Sequence, residues 1–163
     1  MKDKINFLIK FLVLTFVFFL IWIPLGEKYL IMLAWVSKYV LWLMGYHATL
    51  VTDGTPYFLC RGYMIGMERY AHLANYNVVP LIALILATPR IMSMRRMKML
   101  TIGLFLLFCT HVVDLVSHVP MYCSGSGIAE TVVIFMSVAK VAVPFVLWFV
   151  LAHKEILGSV RQP

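Results

Sequence analysis

Two histidines and an aspartate stand in an otherwise apolar stretch of this sequence, in the order His111, Asp114 and His118. On an α-helix, which turns 100° per residue, these positions fall within an arc of about 60° and share one face. Imidazole and carboxylate groups transfer protons and bind metal ions. Because ionisable groups are costly inside a membrane, each of these residues is a candidate functional residue.

The segments at about 70–89 and 128–152 are also apolar. Each carries polar residues at the end that would lie beside this stripe. Interhelical hydrogen bonds and an ion pair between Asp114 and Lys140 are one interpretation of these groups. A catalytic or substrate-binding pocket, open to the non-cytoplasmic face, is the other. The predicted pocket comprises His72, Asn75, Asn77, His111, Asp114, His118, Glu130 and Lys140.

No cofactor is predicted, although a metal or haem site is an alternative use of the same side chains. Positions 111 and 118 are about 10.5 Å apart along a helix axis, which is too far for both histidines to bind one ion. His111 and Asp114 are therefore the candidate metal ligands. A bis-histidine haem would need His72 opposite His111 or His118.

The cysteines offer a different chemistry. Cys123 lies in the turn PMYCSGSG, with His118 close in sequence as a candidate base, and Cys60 stands beside Arg61. A nucleophilic thiol needs an accessible, electropositive site with a base nearby. The candidate nucleophiles are Cys123 and Cys60, and the candidate bases are His118 and His111. A disulfide between Cys60 and Cys123 is the competing interpretation, and the sequence leaves it open.

The composition indicates what kind of element must position these residues. Of 163 residues, 63% are hydrophobic and only 13% are charged, against about a quarter charged in soluble domains. The mean hydropathy is +0.92. A membrane-spanning helix needs roughly 20 apolar residues, so the chain has room for four or five. We therefore expect an all-α integral membrane protein that forms one domain over residues 1–163.

About four transmembrane helices are predicted, together with one interfacial or re-entrant helix. The spans are expected at about 5–25, 70–89, 99–119 and 128–152, with a kink at Pro144. Residues 29–44 are short for a span and contain Lys38, which favours a helix in the outer interface. An outer loop at 45–69 and a cytoplasmic loop at 90–98 complete the layout.

The charges orient this layout in the bilayer. An excess of lysine and arginine marks the cytoplasmic side of membrane proteins. The predicted cytoplasmic side holds nine of these residues and the other side four. Both termini are therefore expected to lie in the cytoplasm, and the protein is expected to lie in the cell inner membrane. Because the basic residues cluster at span ends, the +7 net charge indicates contact with the lipid bilayer and not with nucleic acid.

Two stretches of the sequence resemble exosortase/archaeosortase-type membrane proteins. WIPLGEKYLIMLAWVSKYVLWLMGYHATLV is similar to their opening, a span that leads into an interfacial stretch ending at a glycine. NYNVVPLIALILATPRIMSMRRMKMLTIGLFLLFCTHVVDLVSH is similar to their central pair of spans around a basic loop. The resemblance covers roughly half to two-thirds of the chain and is one of layout.

That resemblance implies a cysteine transpeptidase that uses Cys, Arg and His outside the membrane, but the chain departs from the pattern. Asn75-Tyr76-Asn77 stand where the family's cysteine is expected, and His111 and Asp114 stand where its arginine is expected. The expected function is therefore a non-catalytic or degenerate exosortase-like subunit that works with other membrane proteins. The alternatives are a sortase-like membrane cysteine transpeptidase and a haem-, quinone- or proton-handling subunit.

Overall fold

The protein is mostly helical. A computed structural model describes residues 2–66, 75–89 and 91–160, and within them the chain forms four helices and three short strands. The elements are α1 (Lys2–Leu43), β1 (Thr49–Val51), β2 (Tyr57–Cys60), β3 (Tyr63–Gly66), α2 (Val78–Ala87), α3 (Ser93–Ser124) and α4 (Gly127–Val160).

Three of the described helices, α1, α3 and α4, are long and apolar enough to cross a membrane. The prediction of an α-helical membrane protein is confirmed to this extent. Helix α2, which falls in the predicted span at 70–89, has ten residues in its described part. At 1.5 Å per residue it is about 15 Å long, half of the hydrocarbon thickness. Four spans were predicted, so the count differs from that prediction.

The N-terminal segment differs from its prediction as well. Residues 5–25 and 29–44 were expected to form two separate helices, but both lie in α1, a continuous helix of 42 residues with Pro24 inside it. The residues that follow the proline include Leu25, Glu27 and Lys28, whose helix propensities are compatible with this continuation. At about 63 Å, α1 is twice as long as the hydrocarbon layer is thick.

The predicted outer loop at 45–69 contains an antiparallel sheet in the order β1-β2-β3. Leu50 pairs with Phe58 and Phe58 pairs with Ile65, so these three side chains share one face. Thr49, Leu59 and Met64 form the neighbouring row, which points to the other face. The sheet was missed because strands of three or four residues carry too little alternation to be recognised.

By its internal contacts the chain divides into two compact units. The first unit consists of Met1–Trp22, Tyr76–Leu107 and Lys140–Pro163, and the second of Ile23–Asn75 and Phe108–Ala139. The expectation of a single membrane domain stays a prediction.

In the second unit, the C-terminal half of α1 packs with α3 and the sheet. Its buried positions recur every three or four residues, which is the period of one helix face. The α1 contribution is Leu30, Leu33, Ala34 and Leu41. The rest of the core is Val112, Val116, Val119 and Cys123 of α3 with Phe58 and Ile65 of the sheet. One face of the sheet therefore closes this core.

In the first unit, helices α2, α3 and α4 meet at Gly103. A Cβ built at Gly103 would lie 3.3 Å from a methyl group of Leu81 and 3.3 Å from one of Leu151. The missing side chain therefore allows the close approach that small residues provide between membrane helices. Thr88 ends α2 in the same unit, and Trp148 Nε1 donates a hydrogen bond of 2.9 Å to its hydroxyl.

Candidate functional site

The buried histidine of the predicted stripe meets a tyrosine of α1. His111 is 2% exposed, and its Nδ1 lies 2.6 Å from Tyr29 Oη. The two rings are perpendicular, with their centres 5.8 Å apart, and the Tyr29 ring meets Phe108 edge-on as well. Tyr29, which is half-buried, and His111 thus form a hydrogen-bonded pair among apolar side chains.

The position of this pair follows from two helix patterns. Tyr29 precedes Leu30 and Leu33 on α1, so it lies at the border of the buried face. His111 precedes Val112 and is one turn from Leu115 on α3. A buried polar group costs free energy unless it is hydrogen-bonded, and this pair satisfies one nitrogen of the imidazole.

The other two members of the stripe are half-buried. His118 Nδ1 lies 2.7 Å from the backbone oxygen of Asp114, one turn earlier in α3. Since a carbonyl oxygen can only accept, Nδ1 carries the proton, and Nε2 is the acceptor nitrogen of the neutral ring. The His118 ring also stacks on Tyr122 at 6.5 Å between centres. His118 is therefore held by its own helix.

The remaining residues of the predicted pocket are distributed over both units. Asn75, which is buried, and Glu130, which is exposed, belong to the second unit with the histidine stripe. Asn77 and Lys140 belong to the first unit, where Asn77 Nδ2 donates a 3.2 Å hydrogen bond to the Lys140 backbone oxygen. His72 lies outside the described residues.

The metal alternative gains no support from this geometry. Within residues 2–66, 75–89 and 91–160, no three His, Cys, Asp or Glu side chains cluster as metal ligands would. His111, one of the two candidate ligands, engages Tyr29 through Nδ1.

Cys60 and Cys123, the predicted nucleophiles, form a disulfide whose Cα atoms are 6.1 Å apart. Cys60 is two residues from Phe58 along β2, so it points to the same face of the sheet, which packs against α3. A disulfide sulfur is not a thiolate, so in this state neither cysteine can act as the nucleophile. The third cysteine, Cys109, is a free thiol within α3.

The residue after Cys60 reinforces this attachment. Arg61 donates a 3.2 Å hydrogen bond from its guanidinium to the backbone oxygen of Cys123. Tyr46, which leads from α1 into the sheet, has its hydroxyl 3.4 Å from Ser124 Oγ. Three links therefore hold the sheet to the C-terminal end of α3.

Comparison with protein-family models, curated proteins and solved structures finds no match for this chain. The exosortase-like layout consequently rests on the sequence resemblance alone.

Sequence reasoning found His111 but missed its partner. Tyr29 was assigned to an interfacial helix, away from the stripe. The available signal was its spacing: Tyr29, Leu33 and Ser37 are each four residues apart, which places them along one line of the helix.

Proposed function

We propose that this protein is a non-catalytic, exosortase-like subunit of a larger membrane assembly. Its disulfide-bonded sheet lies on the non-cytoplasmic side of the cell inner membrane, and both termini lie in the cytoplasm. The proposal rests on the Cys60–Cys123 disulfide. A thiol transpeptidase would need one of these two cysteines as a free nucleophile, and the disulfide engages both of them.

The same disulfide supports the proposed topology. Cys60 and Cys123 must lie on one side of the bilayer because they are bonded. If α3 crosses the bilayer, its first residue, Ser93, lies on the opposite side from Cys123 and therefore from Cys60. The chain between residues 61 and 92 must then cross as well. Together with α1 and α4, which are long and apolar enough to span, the proposed topology has four crossings, although α2 is short.

An oxidising compartment is consistent with this orientation. Disulfides persist in the bacterial periplasm and outside cells, and they are rare in the cytosol. The charge bias of the sequence independently places the sheet on the side opposite the basic 90–98 segment.

The sheet also offers a surface for a partner protein. Leu59 is paired with Met64 in the outward row, and their side chains are 39% and 67% exposed. Large apolar side chains on a rigid, exposed sheet are typical of interaction surfaces.

A second candidate function is supported by the Tyr29–His111 pair. A phenol and an imidazole joined by a 2.6 Å hydrogen bond in an apolar core form a short proton path. This arrangement favours the haem-, quinone- or proton-handling alternative over the transpeptidase.

One purification tests both proposals. The tagged protein is extracted in a mild detergent, its co-purifying proteins are identified by mass spectrometry, and its absorption spectrum is recorded. We expect stoichiometric membrane-protein partners that are lost from the double variant L59E/M64E. The control T52E/T55E introduces the same charges into the exposed β1–β2 turn and should retain them.

An unfolding temperature close to that of the wild-type protein shows that each variant is folded. Wild-type protein that purifies alone and colourless would contradict the subunit proposal. A Soret band or an extractable quinone in the purified protein would instead establish the second candidate.

A further inference from the structure

A cavity of about 490 Å³ lies where α1 ends and the chain turns into β1. Its lining comes from the short segment between Lys38 and Leu50, and it includes Tyr39, Trp42, Tyr46 and His47. The volume falls within the range of small-molecule sites, about 300–1,000 Å³. This cavity shares none of the residues predicted for the polar pocket.

Lys38 gives the cavity its charge. The side chain is half-buried, and its Nζ lies 5.0 Å from the ring centre of Trp35, one turn earlier in α1. An ammonium within an apolar helix is costly to place in a membrane, and a cation–π contact offsets part of this cost. His47 adds an imidazole, and none of the described lining residues is acidic. The cavity is therefore suited to an anion.

The other walls are aromatic and amphipathic. Tyr39 is 62% exposed and Trp42 is 63% exposed, although both follow long apolar stretches of α1. Tyrosine and tryptophan prefer the membrane–water boundary, where one end of the ring is apolar and the other is wet. A ligand that fits these walls has an apolar part next to its charged group.

The aromatic walls indicate the depth of the site in a membrane, because α1 is longer than the hydrocarbon layer and its end alone does not fix that depth. Lys38 is five residues before Leu43, the last residue of α1, so it lies about 7.5 Å from the helix end. Lipid phosphates occupy the polar layer just outside the hydrocarbon core. A lysine at this depth can reach that layer with its flexible stem.

We propose that this cavity is a binding site for an anionic, phosphate-bearing ligand. Lys38 contacts the phosphate, His47 lies at the rim, and the rings of Tyr39, Trp42 and Tyr46 cover the apolar part. The tyrosine and tryptophan walls, which are typical of the membrane–water boundary, favour a membrane phospholipid as the source of the phosphate. The site does not depend on the subunit function proposed above.

The test is a ligand titration of the purified protein followed by native mass spectrometry. The probes are phosphatidylglycerol, a diacylglycerol with the same acyl chains but no phosphate, and the soluble compound glycerol 3-phosphate. We expect one phosphatidylglycerol to bind saturably and the diacylglycerol to bind at least tenfold more weakly. Removal of the charge in Lys38→Gln should weaken phosphatidylglycerol binding by about fivefold.

Two variants serve as controls. Lys28→Gln removes the same charge from an exposed position of the same helix, and Lys38→Arg keeps the charge in the cavity; both should bind within about twofold of wild type. A thermal unfolding temperature close to that of wild type shows that each variant is folded.

The proposal is overturned if Lys38→Gln binds like wild type, if Lys28→Gln loses as much affinity, or if the diacylglycerol binds as tightly as phosphatidylglycerol. Glycerol 3-phosphate that binds as tightly as the lipid supports the phosphate site and assigns it to a soluble ligand.

Discussion

At the scale of single residues, hydrogen bonding decides which polar side chains of the membrane helices have a structural role. His111 is almost fully buried, and Tyr29 satisfies its Nδ1. His118 is half-buried and engages the backbone of its own helix. The three-residue stripe read from the sequence therefore contains groups with different roles: His111 joins two helices, and His118 does not need a partner helix for its hydrogen bond.

Replacement of Tyr29 by phenylalanine tests the role of the pair. The variant keeps the ring contacts with Phe108 and His111 but removes the hydroxyl, so Nδ1 loses this partner. We expect the free energy of unfolding to fall by about 1–2 kcal/mol. Thermal unfolding in detergent measures the change. Tyr39→Phe, at an exposed position, should change it by less than about 0.5 kcal/mol. Equal effects of the two variants would contradict the role assigned to Tyr29.

At the scale of elements, the tight turn between β2 and β3 determines how the sheet meets α3. Cys60 pairs with Tyr63, so the turn has two central residues, Arg61 and Gly62, with φ of 48° and 85°. Positive φ at both positions is the geometry of a type I′ turn, which matches the twist of the strands. Arg61 is unusual at such a position, and its hydrogen bond to the Cys123 backbone offsets part of the backbone cost.

Substitution of Gly62 by alanine is expected to destabilise this turn. An L-residue in the left-handed region costs roughly 1–2 kcal/mol, and no side-chain contact is available there to compensate. Hydrogen exchange of the β2 and β3 amides should rise, and the unfolding temperature should fall. Gly127→Ala is the matched control because the Cβ also meets open space, at a helical position without positive φ. If Gly62→Ala lowers the unfolding temperature no more than Gly127→Ala does, that result would contradict the type I′ geometry.

At the scale of the whole molecule, the Cys60–Cys123 disulfide joins segments that are 63 residues apart in sequence. A cross-link between residues so far apart in sequence removes much of the conformational entropy of the unfolded chain. It also restricts the paths of the chain through a bilayer, because its two ends must lie on the same side. The stability of the second unit and the proposed topology therefore depend on the same bond.

The double variant C60A/C123A is expected to lose about 2–4 kcal/mol of unfolding free energy. Wild-type protein treated with a reductant should show the same loss, and the C109A variant should keep its sensitivity to the reductant. Thermal unfolding with and without reductant measures both effects. Alkylation of all three cysteines in the native protein before any reduction would show that the disulfide is not present.

The sequence by itself determined the membrane class and most of the helical content. The apolar stretches in α1, α3 and α4 are longer, as helices, than the hydrocarbon layer is thick. This property depends on composition and length alone. The polar stripe at His111, Asp114 and His118 was also readable, because helical periodicity places those residues on one face whatever surrounds the helix.

Only the tertiary structure decided how α1 continues past Pro24, which cysteines are bonded, and which residue meets His111. A proline lowers the helical preference locally, but the packing of residues 30–41 against α3 and the sheet outweighs it. Disulfide pairing and the Tyr29–His111 contact join positions 63 and 82 residues apart, and no local pattern encodes such distances. The cavity at Lys38 is lined by a short segment, but it too forms only where the end of α1 and the start of β1 fold next to each other.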